Sequence, residues 1–157
     1  MNEPKPDCFF CVAAHESESP QTLVVHRSTY HLVMLNKHPY NSGHLMVAPR
    51  LHLADPSESS PEARDELWPV ILHARDVLAK AYSPDGFNMG MNLGSAAGAG
   101  VPGHFHFHIV PRWKGDANFM GVVGDTRLVP EDLTKSWQRL RDLFQESVSE
   151  GSSLEQT

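Results

Sequence analysis

The chain has 157 residues, with 13 Lys and Arg against 19 Asp and Glu and a net charge of −6. That length suits one domain of ordinary size, and 40% hydrophobic with 20% charged residues excludes wholesale disorder. The acidic balance argues against a protein that coats nucleic acid polymers, and no apolar run reaches the length of a membrane span.

Taken in chain order, the residues before Cys8 are polar and Pro-containing, with no signal-peptide core, so a cytoplasmic location is expected. Cys8 and Cys11 are the only cysteines and stand close together as CFFC. In a reducing compartment that spacing suggests a metal or redox pair rather than a structural disulfide. Short strands are expected at about Thr22–His26 and Tyr30–Leu35, then a turn at HPYNSG and a third strand at Gly43–Ala48, ended by Pro49. Ser59 and Glu62, with Pro61 between them, signal a helix start. Leu67, Val70, Ile71, Ala74, Val77, Leu78 and Ala81 follow at helical spacing, and Pro69 predicts a kink or a later effective start.

Gly86–Leu93 alternates apolar and polar residues as a strand does. The small-residue loop GSAAGAGVPG leads into a further strand, HFHFHIV, and a last helix is expected over about residues 130–148, with Leu133, Trp137, Leu140 and Phe144 on one stripe. A strand-rich middle with two helices reads as α+β with an antiparallel sheet. The expected domain is 8–148, with residues 1–7 and 149–157 as flexible termini.

The segment GHFHFHIVPRW is the most informative. In an extended strand His104, His106 and His108 share one face, and Phe105, Phe107 and Ile109 face the core. The imidazoles would then stand about 6–7 Å apart in sequence order, and the outer two roughly 13 Å apart, too far to ligate one metal ion. A sheet face whose polar positions happen to be His is the bland alternative. The strict period of two after a Gly/Ala/Ser loop favours chemistry instead: imidazole is neutral, nucleophilic and exchanges protons near pH 7, and a neighbouring imidazole can protonate a leaving group.

The alternation resembles the histidine triad (HIT) hydrolases and transferases, and the resemblance covers roughly residues 8–145, through CFFC, LNKHPYNSGHLMVAPRLH and NMGMNLGSAAG. The tail VPRWKGDANFM looks like bacterial members acting on diadenosine tetraphosphate, including the phosphorylase type. The resemblance implies a HIT-like fold with about five antiparallel strands, a long helix and a C-terminal helix, usually as a homodimer. It implies that His106 attacks the α-phosphorus to form a nucleotidyl-histidine, resolved by water or orthophosphate, and that His108 assists the leaving group while His44 supports the phosphate side. Asn36 matches a ribose-holding residue and Asn92 falls near the phosphate region. Gly98, Ala99 and Gly100 offer backbone N–H groups to phosphate, and Trp113 is placed to stack on a base or to pack in a core or dimer interface. Arg112 and Lys114 are candidates for the distal polyphosphate, with solvated surface charge as the default.

The same resemblance implies a structural zinc held by Cys8, Cys11, His52 and His104, which together form a chemically complete tetrahedral set. A small nucleotide is the expected partner, and any Mg²⁺ would be carried by the substrate. The rival readings are a nucleoside phosphoramidase and a non-catalytic nucleotide-sensing protein. Trp68 and Trp137 are expected in packing, Met89 and Met91 in the core, and His15, His26, His31, His38 and His73 receive no role.

Overall fold

The computed structural model describes residues 5, 7–116 and 131–154. Helix α1 (Phe9–His15) precedes strands β1 (Val24–Arg27), β2 (His31–Leu35) and β3 (Leu45–Pro49). The long helix α2 (Pro61–Tyr82), strands β4 (Gly86–Met91) and β5 (Phe107–Arg112), and helix α3 (Leu133–Leu154) follow. The five strands form one antiparallel sheet in the order β1-β2-β3-β5-β4, so the α+β architecture read from the sequence holds. The last helix starts later and runs further than the expected 130–148; residues 1–4, 6, 117–130 and 155–157 lie outside the described residues.

The register assigns the two faces of the sheet. Met34 pairs with Met46, Met46 with His108 and His108 with Gly90, a row that crosses four strands on one face. The alternate row Val33–Val47–Phe107–Met91 points to the other face, where Trp68 of α2 meets Phe107 edge-on at 6.3 Å. Helix α2 packs across β2, β3 and β5, and α3 across β1. Every residue of β2 and β3 is buried. Continuous apolar runs are what a strand covered on both faces requires.

Several local details differ from the sequence expectation. The N-cap of α2 is Ser60, whose Oγ accepts the Ala63 N–H at 3.2 Å, with Pro61 in the first turn. Pro69 lies within α2 on its exposed side, and the helix runs through it without a break. Trp68 is 54% exposed rather than packed away, whereas Trp137 is half-buried and donates its indole N–H to the Val24 carbonyl at 2.8 Å. Helix α1 was not legible at all: CFFCVAAH is short and has too few polar residues to show an amphipathic period. It is held by Arg27, whose guanidinium donates to the carbonyls of Ala13, Ala14 and Glu16 and so satisfies the helix's C-terminal acceptors.

Candidate active site and metal cluster

Strand β5 starts only at Phe107, so the triad is not the flat strand that its alternation suggests. His104 and His106 lie before it, His104 in a bend, and the His106 and His108 ring centroids are 4.8 Å apart, closer than the expected spacing. The bend divides the three imidazoles between two tasks.

His104 is fully buried and turns toward the N-terminus. Its Nε2–H donates to the Pro49 carbonyl at 2.8 Å, which leaves Nδ1 as a bare lone pair 3.4 Å from Cys8 Sγ and 3.7 Å from Cys11 Sγ. His52 Nδ1 is 3.2 Å from Cys11 Sγ, and the four donor atoms all lie within 4.8 Å of one another. Two thiols and two imidazoles at these separations match the edges of a small tetrahedron, and the Pro49 carbonyl fixes the ligand tautomer as outer-shell partners of metal sites do. The set fits a closed structural zinc site, with no side left open for substrate. Burial raises the Cys11 thiol pKa and lowers that of His104 to about 4, so a metal ion would displace protons from the thiols, while the His104 imidazole is already neutral.

His106 and His108 face the other way and line a cavity of about 660 Å³, within the size range of small-molecule sites. His106 is almost fully buried, with its ring 4.8 Å from that of Phe10, and its Nδ1–H donates to the His104 carbonyl at 3.0 Å. That bond fixes the tautomer and leaves Nε2 as the free lone pair. Burial lowers the pKa of His106, keeping the lone pair unprotonated near pH 7.

His44 stands behind His108 and does not itself line the cavity. Its Nδ1 accepts the Tyr40 backbone N–H at 3.1 Å, and burial lowers its pKa to about 3, so its one proton sits on Nε2. Nε2 is 2.9 Å from His108 Nδ1 and donates to it. The remaining proton of His108 is therefore on Nε2. His108, also held neutral by burial with a pKa of about 4, is a donor on the cavity side. Gly43 permits this placement: it takes φ +78°, and a Cβ there would lie 2.8 Å from the Tyr82 ring.

The rest of the cavity has an apolar wall and a polar rim. Phe9, Val12 and Ala13 of α1 join Leu23, Met34, Leu35 and Met46. Asn36, Lys37, His38, Tyr40, Asn92, Gly98 and Gly100 supply polar groups, with Glu16, Gln21 and Thr22 at the α1 side. Asn36 Oδ1 accepts the His38 N–H at 2.9 Å. Asn92 Nδ2 reaches the Gly98 carbonyl at 3.5 Å.

Some sequence expectations are not met by this geometry. Ala99 and Trp113 are not among the lining residues. The N–H groups of Gly98 and Ala99 bond to the carbonyls of Ser95 and Gly94, so the small-residue loop spends two of the three expected donors on its own turn. Arg112 is paired with Asp116 and Asn88, Lys114 is exposed, and neither lines the cavity, which agrees with the default reading of both as surface charge. The sequence reading missed the α1 wall and the Lys37–Tyr40 rim. Phe9, Val12 and Glu16 at helical spacing were the available signal, masked by the CFFC segment that they overlap.

Alternating histidines of which the first withdraws to a thiol cluster while the others meet a nucleotide-sized cavity define a class, the histidine-triad domain. The chain belongs to the HIT domain family, whose sequence model matches residues 16–115. It is 39% identical over 118 residues to the AP-4-A phosphorylase of Mycobacterium tuberculosis, covering 75% of this chain and 60% of that protein. The chain thus spans about three-fifths of the length of that relative. It is 28% identical over 121 residues to the asymmetrical bis(5'-nucleosyl)-tetraphosphatase of Schizosaccharomyces pombe, covering 77% of this chain and 63% of that one. Among solved structures, a Zn-bound histidine triad family protein from Mycobacterium smegmatis aligns with a TM-score of 0.71 and 27% identity, over 91% of this chain and 96% of that one. No helix among the described residues is long and apolar enough to cross a membrane.

Proposed function

We propose that the chain is a nucleotidyl hydrolase or phosphorylase that cleaves dinucleoside polyphosphates of the diadenosine tetraphosphate kind. The observation that carries this reading is the pairing of opposite tautomers: a bare Nε2 on His106 beside an Nε2–H on His108, both on the cavity. His106 Nε2 attacks the α-phosphorus as the bond from phosphorus to the bridging oxygen breaks. The departing nucleoside polyphosphate leaves as an anion, and its new charge is met by a hydrogen bond from His108 Nε2–H, which keeps its proton. Water or orthophosphate then attacks the same phosphorus and gives up a proton to solvent, the P–N bond breaks, and His106 regains its lone pair. Asn36 holds the ribose, and the wall built from Phe9, Val12, Leu23 and Met34 receives the base.

Support for the polyphosphate substrate comes from the relatives, one named a phosphorylase and one a tetraphosphatase. A nucleoside phosphoramidase would use the same first step on a P–N bond, and a nucleotide sensor would bind without turnover. Product analysis with diadenosine tetraphosphate separates them. ATP plus ADP only when orthophosphate is present marks a phosphorylase, and ATP plus AMP regardless of orthophosphate marks a hydrolase. No turnover under either condition would reject the polyphosphate reading.

In this reading Cys8, Cys11, His52 and His104 hold a zinc ion that ties α1, and with it the base wall, to the catalytic segment. The ion supplies cross-linking rather than chemistry.

A further inference from the structure

Tyr40 is the most exposed large apolar side chain among the described residues, at 73%, yet it sits at the catalytic pair. Its ring centroid is 4.8 Å from that of His44 and 6.3 Å from that of His108, tilted 30° to the latter, and it lines the cavity. Helix α1 meets the triad at its other end, where Phe10 packs 5.0 Å from His104 and 4.8 Å from His106. The two ends of the triad thus carry different aromatic neighbours, one buried behind the nucleophile and one open to solvent beside the proton donor.

On the proposed reading, on which this inference rests, the leaving group departs past His108, because His108 Nε2–H is the group that hydrogen-bonds its departing oxygen. An aromatic face left in water at that point has an unfilled stacking surface. The two nucleosides of the substrate are joined by a flexible phosphate chain, so the second base can fold back onto a ring near the scissile bond. We propose that Tyr40 is a specificity determinant of the leaving-group side: its ring stacks the base of the departing nucleotide, favouring dinucleoside over mononucleoside polyphosphates.

A matched pair of substrates isolates this contact. Diadenosine tetraphosphate and adenosine 5'-tetraphosphate share the attacked adenosine and the phosphate chain and differ only in the second adenosine. The experiment measures kcat/KM for both with the wild type, Tyr40→Phe and Tyr40→Ala. All three proteins keep the backbone N–H that His44 needs, and the exposed position leaves folding undisturbed, which a melting curve checks. Wild type should prefer the dinucleoside substrate, Tyr40→Phe should keep that preference, and Tyr40→Ala should reduce the ratio about tenfold, as loss of one base–aromatic stack does. An unchanged ratio in Tyr40→Ala, whether or not both rates fall together, would overturn the inference, as would a wild type indifferent to the second adenosine. Failure of the wild type to cleave either substrate would instead reject the functional reading beneath it.

Discussion

His44 Nε2 lies 2.9 Å from His108 Nδ1, and the direction of that bond is set one step further back, by the Tyr40 N–H on His44 Nδ1. A buried neutral imidazole has one proton, so fixing the acceptor on one side of His44 fixes the donor on the other. The main chain of the 40–44 turn therefore determines which nitrogen of His108 carries a proton into the cavity. His44 acts through His108 and is a positioning residue.

Replacing that link should separate position from presence. His44→Phe keeps an aromatic ring but removes both hydrogen bonds. It should lower kcat about 100-fold, the range of one lost donor to a developing anion, with a smaller change in KM. Nitrogen-15 spectra of the imidazoles would check the cause: His108 should pass from the Nε2–H tautomer to a mixture. An unchanged His108 tautomer in this variant would refute the relay.

The turn is itself clasped. Asn41 Nδ2 donates to the Pro111 carbonyl at 3.2 Å and to Asp116 Oδ2 at 2.8 Å. Asp116 also accepts two bonds from Arg112 and the Trp113 N–H, and the Arg112 guanidinium holds its carboxyl well below the usual range. Asn41→Ala frees the turn from β5 without touching an imidazole. It should lower kcat roughly tenfold through the His108 proton, while nucleotide affinity, read by titration calorimetry, stays within about twofold. A loss of affinity equal to the loss of kcat would show that the clasp shapes the cavity instead.

Acid should destabilise the fold before carboxylates are titrated. Burial lowers the pKa of His26 to about 4, of His44 to about 3 and of His108 to about 4, against about 6.5 in an unfolded chain. Below pH 6.5 the unfolded chain takes up protons that the folded chain refuses, so stability is full above that pH and falls as pH drops toward 4. Thermal melts should show Tm declining over that window. His26, stacked on Phe144 at 5.0 Å and away from the cavity, allows a clean test: His26→Phe should flatten the decline, and an unaltered slope would contradict it.

If Cys8, Cys11, His52 and His104 hold zinc, its removal should act on substrate binding as well as on stability. Cys8 is the N-cap residue of α1 and Cys11 lies in its first turn, so the cluster anchors the helix that carries Phe9, Val12 and Ala13 on the cavity. Elemental analysis should find one zinc per chain, and cobalt exchange should give thiolate charge-transfer absorption. Cys11→Ala or chelation should lower Tm and raise KM more than it lowers kcat. Chelation that leaves both Tm and KM unchanged would contradict a structural site.

The sheet and the long helices were legible because their signals are strong: continuous apolar runs in β2 and β3, a capped periodic stretch in α2, and the stripe Leu133–Trp137–Leu140–Phe144 in α3. The triad was legible as chemistry but not as geometry. Period two predicts an extended strand, whereas His104 lies in a bend and His106 just ahead of the strand, held by bonds to Pro49 and from His106 to His104 that no local pattern encodes. Helix α1 and the Tyr40 rim were hidden for a related reason, since both are held by tertiary partners, Arg27 for the one and the His44–His108 pair for the other.

On the proposed mechanism His106 carries the nucleotide through a covalent P–N bond. The direct measurement is rapid quench of the metal-replete protein with diadenosine tetraphosphate labelled in the adenosine, followed by mass analysis of the intact chain and of the peptide spanning 103–113. An adenylyl adduct should appear on His106, formed faster than steady-state turnover, absent in His106→Ala, and slowed in formation in His108→Ala. Turnover by His106→Ala at the wild-type rate, or an adduct on another residue, would contradict it.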